Sequence, residues 1–182
     1  MADLYDFPDI YDERFSEAAN AAYRERYRKI FSGCKITDIL DCSFGTGDLT
    51  FELCELGYQV SGSDLSRSML TKAAQKAAQK GFTVDLTRCD FRELSKHFDR
   101  DFSCVMSTGN ALAHVDHAGV VQTLREMDRL IRPGGYLYLD SEPGKTVHIH
   151  FFPKIRAHVL PDNPRVAAFT YGPAVLCAKL GT

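Results

Sequence analysis

The 182-residue chain lacks any stretch approaching the roughly 20 apolar residues of a membrane span. It also lacks an excess of charge. Its 22 Lys and Arg against 24 Asp and Glu leave a net −2, so neither a nucleic-acid backbone nor an anionic membrane is expected as a partner. No C-x-x-C pair occurs among the six cysteines, and Cys42, Cys54, Cys89 and Cys104 sit inside apolar patterns. Buried, reduced thiols in a cytoplasmic protein are therefore expected, with Cys42 the best candidate for a reactive thiol. The acidic start, Met1 to Asp9, has no basic-then-apolar leader pattern. Internal repeats and low-complexity segments are also missing. One compact unit, burying about two-thirds of its unfolded surface, is the simplest expectation at this length.

What is present is a regular alternation. Residues 1–13 interleave Tyr5, Phe7 and Tyr11 with Asp3, Asp6, Asp9 and Asp12. Phe15 to Phe31 has a helical period, with Ala19, Tyr23, Tyr27 and Ile30 on one face. Arg24 and Arg28 share another face, expected to be solvated. Strands are then expected at 36–41, 59–64, 83–87, 102–107 and 136–140, and helices at 48–56, 66–80 and 120–131. Ser66 is an N-cap and Gly81 a helix stop. Arg132-Pro-Gly-Gly135 is expected as a tight turn. Such an order means a mostly parallel sheet with helices on both faces and ligands at the carboxyl ends of its strands. Beyond Asp140, Pro143, Pro153, Pro161, Pro164 and Pro173 break the pattern. Residues 147–152, 166–171 and 175–180 are candidate strands there, and a closing antiparallel pair is expected.

The most informative stretch is Ile39-Leu-Asp-Cys-Ser-Phe-Gly-Thr-Gly-Asp48. A strand runs into an acid, then into a turn carrying Gly45 and Gly47, then into an amphipathic helix. Glycine lets backbone approach a bulky ligand, and a helix start offers unpaired N–H groups. Asp64, at the end of the next strand, lies 17 residues after Gly47. That is close to the spacing at which a carboxylate meets a ribose diol in a βαβ nucleotide site. A nucleoside-containing cofactor is the expectation. His114 and His117 are three apart and His148 and His150 two apart, but no third or fourth ligand stands at matching spacing, so no metal is expected.

Five landmarks together resemble the class I S-adenosyl-L-methionine-dependent methyltransferases over about residues 35–142. They are Ile39-Leu-Asp41-Cys-Ser-Phe-Gly45-Thr-Gly47, Asp64-Leu-Ser-Arg-Ser-Met69, Cys89-Asp90-Phe91, the strand and loop Phe102–Asn110, and Leu130-Ile-Arg-Pro133-Gly-Gly135. The resemblance implies a Rossmann-like α/β sandwich with a mostly parallel seven-stranded sheet, order 3-2-1-4-5-7-6, last strand antiparallel. The expected organisation is an N-terminal helical cap, 1–34, and a cofactor-binding methyltransferase domain, 35–182. S-adenosyl-L-methionine is the implied cofactor. By resemblance, Asp41 and the loop of Ser43, Phe44, Gly45 and Gly47 lie along its methionine part, with Ser107 nearby. Asp64 accepts from both ribose hydroxyls, and Leu65 and Met69 pack near the adenine. Asp90 receives the adenine amino group, and Phe91 supplies a backbone N–H.

The loop Ser107-Thr-Gly-Asn110-Ala-Leu-Ala-His114 is similar to the segment after the fourth strand in glycine and sarcosine N-methyltransferases, where the matching Asn contacts the acceptor. Tyr5-Asp6 and Tyr11-Asp12 also resemble that group, in which such a segment covers the cofactor. Asn110, His114 and Tyr11 are therefore the candidate catalytic residues, with Tyr5 beside them. The implied function is methyl transfer to a small-molecule acceptor, with an amine as one class; a homo-oligomer is left open. Ser43 departs from the Gly or Ala of many members, and the segment after the fifth strand is short and proline-rich.

Plainer readings stand beside these. Asp64 could be a helix cap, Asp90 a solvated loop acid and Asn110 a turn residue after Gly109. Asp41 reads equally as a ligand or as the acceptor that fixes the glycine loop. Two other functions compete: a non-catalytic module that binds the same cofactor, and a nicotinamide-dinucleotide oxidoreductase. The second would want G-x-G-x-x-G, and Ser43 stands at its first glycine.

Overall fold

The computed structural model describes residues 4–139 and, for backbone placement, the strands at 155–160, 163–171 and 174–179. Strand β1 (Asp38–Asp41) lies in the middle of the sheet and is buried along its whole length. It pairs in parallel with β2 (Gln59–Asp64) on one edge and with β4 (Phe102–Ser107) on the other. Strand β3 (Asp85–Arg88) pairs with β2, and β5 (Ile131–Leu139) pairs with β4, both in parallel. The chain thus winds outward from β1 to β3 and then crosses back to start again at β4. Strand order reverses between β1 and β4, which opens a crevice beyond their carboxyl ends.

Alternation along the strands sorts side chains into two cores. Ile39, Cys104 and Met106 point to one face, where they meet Tyr27 of α2 (Glu17–Ile30) and its C-cap Phe31, Phe51 of α3 (Phe51–Glu55) and Ala73 and Ala77 of α4 (Arg67–Lys80). Leu40 and Val105 point to the other, onto Leu94 of a 3₁₀ segment and Leu124, Met127 and Leu130 of α5 (His117–Leu130). The sheet is therefore covered on both faces, as its alternating sequence implies. Among the described residues no helix is long and apolar enough to cross a membrane.

Local signals set the helix ends. Ser66 Oγ accepts the Met69 N–H at 3.3 Å to start α4, and Gly81, at φ +73°, ends it. Ser16 and Asp116 cap α2 and α5 in the same way. The Asp116 cap starts α5 three residues before the expected Val120. Helix α3 is shorter than the expected 48–56, because Gly47 to Thr50 are spent in the turn. Arg24 is not simply solvated: its Nε lies 2.6 Å from the buried carboxylate of Glu52 and ties α2 to α3.

Two expectations need correction. Arg132–Gly135 is a bulge inside β5 rather than a separate turn. Ile131 pairs with Phe102 and Tyr136 with Cys104, so four residues loop out against one, with Gly134 at φ +77°. Among the described residues the sheet has eight strands rather than the expected seven, in the order β3-β2-β1-β4-β5-β8-β7-β6. Strands β6 (Ile155–Leu160), β7 (Asn163–Tyr171) and β8 (Ala174–Lys179) are joined by links of two residues, which favours antiparallel neighbours. The expected closing antiparallel pair is there, but the meander's last strand, β8, docks parallel to β5. The expected strand at 147–152 lies outside the described residues.

Candidate functional site

The site grows from the end of β1. Asp41 is fully buried, and its carboxylate accepts the Ser43 N–H at 3.0 Å, the Thr50 hydroxyl at 2.5 Å and the Thr108 hydroxyl at 2.9 Å. These donors come from the start of the glycine loop, its far end and the loop after β4, so one acid locks two loops together. Burial pushes the Asp41 carboxyl up, and the bonds from Thr50, Ser43 and Thr108 pull it back. Ser43 Oγ accepts the Thr108 N–H at 2.8 Å and lies 3.0 Å from Ser107 Oγ, which adds a second lock.

At the end of β2, Asp64 Oδ2 accepts the Gly45 N–H and Oδ1 the Ser66 N–H, each at 2.8 Å. Burial raises this carboxyl, and the Ser66, Gly45 and Leu65 N–H groups oppose the rise. Gly47 sits at φ +88°, where an added Cβ would lie 2.4 Å from Phe51 and 2.7 Å from Phe44; only hydrogen fits. Gly45, at φ +57°, has open space on its Cβ side as far as Tyr11, 4.0 Å away.

The N-terminal segment covers this edge. It contains a 3₁₀ turn (Leu4–Asp6) and helix α1 (Pro8–Asp12). The Tyr5 carbonyl accepts from Ser66 Oγ at 3.1 Å and Ser68 Oγ at 2.8 Å. The Tyr5 hydroxyl lies 2.7 Å from His114 Nε2, and the Tyr5 ring contacts those of Tyr11 and His114 at 5.9 and 5.4 Å between centroids. Between segment and sheet edge lies a cavity of about 630 Å³, within the range of small-molecule sites.

Of the residues singled out in the sequence, Tyr11, Ser43, Gly45, Asp64, Leu65, Phe91 and His114 line this cavity together. Asp41 and Ser107 stand one layer behind, as supports of the loops. Phe44 and Met69 are core side chains, and Gly47 serves the turn. Asp90 is held at both oxygens by Arg92, which keeps its carboxyl below the usual range, and it lies outside the lining. Asn110 adopts φ +62° and is buried; its Oδ1 has no hydrogen-bond partner among the described residues. Cys42 lines the cavity, but burial pushes its thiol well up, which opposes the reactive reading. Among the described residues no three His, Cys, Asp or Glu gather in a way that could hold a metal.

Sequence reasoning missed Thr108 and the anchoring role of Ser66 and Ser68. Ser66 reads as an N-cap alone, and only the fold shows that its hydroxyl also reaches the Tyr5 carbonyl. The Ser107-Thr108 pair after β4 was the available signal for the first.

The cavity's chemistry fits a cationic nucleoside cofactor. Asp64 presents a half-buried carboxylate on the wall, Gly45 presents backbone without a side chain, and Asp6 adds a further acid. Tyr5 and Tyr11 add aromatic rings to the lining.

Comparison with known proteins bears on the family and the fold. Residues 39–135 match the model of a family described as a methyltransferase domain. The chain is 32% identical over 166 residues to the putative methyltransferase YqeM of Bacillus subtilis, covering 86% of this chain and 59% of that protein. It is 31% identical over 104 residues to a glycine/sarcosine N-methyltransferase of Aphanothece halophytica, covering 57% and 39%. The chain thus spans less than two-thirds of either relative. Its fold matches an S-adenosylmethionine-dependent methyltransferase structure from Clostridium acetobutylicum at a TM-score of 0.64 and 20% identity, covering 92% of this chain and 68% of that one.

Proposed function

The chain belongs to the class I S-adenosyl-L-methionine-dependent methyltransferases, and from that premise we propose that it methylates a small-molecule acceptor, with an amine as the favoured class. Bound S-adenosyl-L-methionine supplies an activated methyl group on a sulfonium. The observation that carries the proposal is the convergence of Asp64, Gly45, Tyr11 and His114 on one cavity at the sheet's carboxyl edge.

In this reading Asp64 accepts from the ribose hydroxyls, and the Ser43–Gly47 loop, fixed by Asp41, borders the methionine part. Leu65 and Phe91 flank the adenine, with Asp90 at its edge. Tyr5 and Tyr11, on the cap of residues 1–34, exclude water and hold the acceptor against the donor, an ordering that can be worth on the order of 7–11 kcal/mol. Asn110 Oδ1 is a buried acceptor suited to an N–H, and His114, paired with Tyr5, is placed to take a proton. The small net charge favours a free small molecule over nucleic acid, and the free cysteines among the described residues favour the cytoplasm.

Calorimetry of the chain with S-adenosyl-L-methionine, S-adenosylhomocysteine and NAD tests the cofactor, and transfer of labelled methyl to glycine, sarcosine and a panel of amines tests the acceptor. Binding of the first two without NAD, and turnover lowered in Asn110→Ala, is the expected result. Tight NAD alone would reverse the reading. Binding without turnover on any acceptor would leave a cofactor-binding module.

A further inference from the structure

We propose that Lys76, which lies outside the cavity on α4, is the positioning residue that couples seating of the N-terminal segment to the cofactor-binding loop. Its Nζ lies 2.8 Å from Asp12 Oδ2, at the end of α1, and 2.5 Å from Asp48 Oδ2, just past the glycine turn. Thr46, between the two loop glycines, completes the junction. Its hydroxyl lies 2.5 Å from Asp12 Oδ1 and 3.3 Å from Asp48 Oδ2. Three segments that are distant in sequence therefore meet at one ammonium.

The junction is well shielded, with side-chain exposures of 16% for Lys76, 19% for Asp12 and 11% for Asp48. The other ion pair between α1 and α4, Lys72 with Asp9, leaves Asp9 83% exposed, where water screens the attraction. Of the two ion pairs, the one at Lys76 is thus the better shielded. It also stands between two carboxylates. Without its charge, Asp12 and Asp48 face each other directly, and like charges at close range drive the segments apart.

Coupling follows from the sequence neighbours. Asp12 adjoins Tyr11 and Thr46 adjoins Gly45, and both of those neighbours line the cavity. A shift of the segment at Asp12 therefore pulls on the peptide whose Gly45 N–H is held by Asp64. Coupling of this kind is reciprocal: what orders the loop seats the segment, and the reverse. This inference rests on the cofactor reading for its ligand, while the latch contacts themselves do not.

The test uses trypsin at Arg14, in the exposed turn between α1 and α2, with loss of residues 1–14 read by intact mass. Without ligand, Lys76→Met and Asp12→Ala should be cut there at least about fivefold faster than the parent, and Lys76→Arg should restore protection. The Kd for S-adenosylhomocysteine should rise by at least about fivefold in the same two variants, and S-adenosylhomocysteine should protect Arg14 in the parent far more than in them. Parent-like cutting and parent-like Kd in both variants would overturn the latch. Asp12→Ala changes only the segment, so it decides the matter if Lys76→Met fails to fold. If the parent itself does not bind S-adenosylhomocysteine, the cofactor reading fails, and the ligand-free cutting rates still decide the latch.

Discussion

Asp64 Oδ2 accepts the Gly45 N–H at 2.8 Å, so the acid that ends one strand holds the turn that follows its neighbour. Its other oxygen accepts the Ser66 N–H at the start of α4. The carboxylate thus shapes the cavity wall, and its residue lines the cavity.

Asp64→Asn keeps the shape but can accept only one of these two N–H groups, because its amide nitrogen is a donor. Hydrogen bonds to a charged group contribute about 1.5–3 kcal/mol, so affinity for S-adenosylhomocysteine should fall roughly ten- to hundredfold. Calorimetry measures it directly. An unchanged Kd would show that Asp64 shapes the turn without touching the ligand.

Gly62 carries a second prediction. It sits inside β2 beneath the Phe44 ring, and an added Cβ would lie 2.2 Å from Phe44 Cδ2. Phe44 cannot simply swing away, because Phe51 packs edge-on against it at 5.5 Å between centroids. Gly62→Ala should cost about 1–3 kcal/mol in urea unfolding, as overpacked cores do. Adding Phe44→Leu should recover part of the loss, since contacting residues couple. Full additivity of the two substitutions would place the strain elsewhere.

What the sequence revealed, and what it hid, divides by distance along the chain. Asp64, Gly45 and the Ser66 cap were legible because strand, turn and helix chemistry is local. The role of Asp41 stayed open because one of its three donors, Thr108, lies 67 residues away. Lys76 is one lysine in an Ala, Gln and Lys helix, and nothing in that helix indicates Asp12 or Asp48 as its partners. Asp90 is expected to receive the adenine amino group, whereas both its oxygens are held by Arg92, two residues on. The sheet's first five strands follow from periodicity. The count of eight does not, because the proline-broken tail gives weak periodic signals, and pairing there depends on link length.

Tyr11 yields a prediction with a definite sign. Burial raises its phenol first, Tyr5 and the charges of Asp64 and Asp48 add to the rise, and Arg14 opposes it; the outcome is a pKa pushed up to about 12. The folded protein thus holds this proton more tightly than the unfolded chain, whose tyrosines titrate near 10. The stability that burying neutral Tyr11 confers is complete below pH 10 and is lost as pH rises from 10 through 12. At neutral pH Tyr11 is therefore a neutral wall and hydrogen-bonding group, never a base, and no limb of a pH–rate profile below pH 10 should belong to it. Absorbance at the phenolate band, followed through alkaline pH, should show a late-titrating component among the eight tyrosines. Tyr11→Phe should reduce that component by one tyrosine, the buried Tyr27 and Tyr138 remaining in it. If all the tyrosines ionise together near 10 in the folded protein, Tyr11 is not packed between the segment and the sheet edge, and the seated segment does not describe the protein in solution.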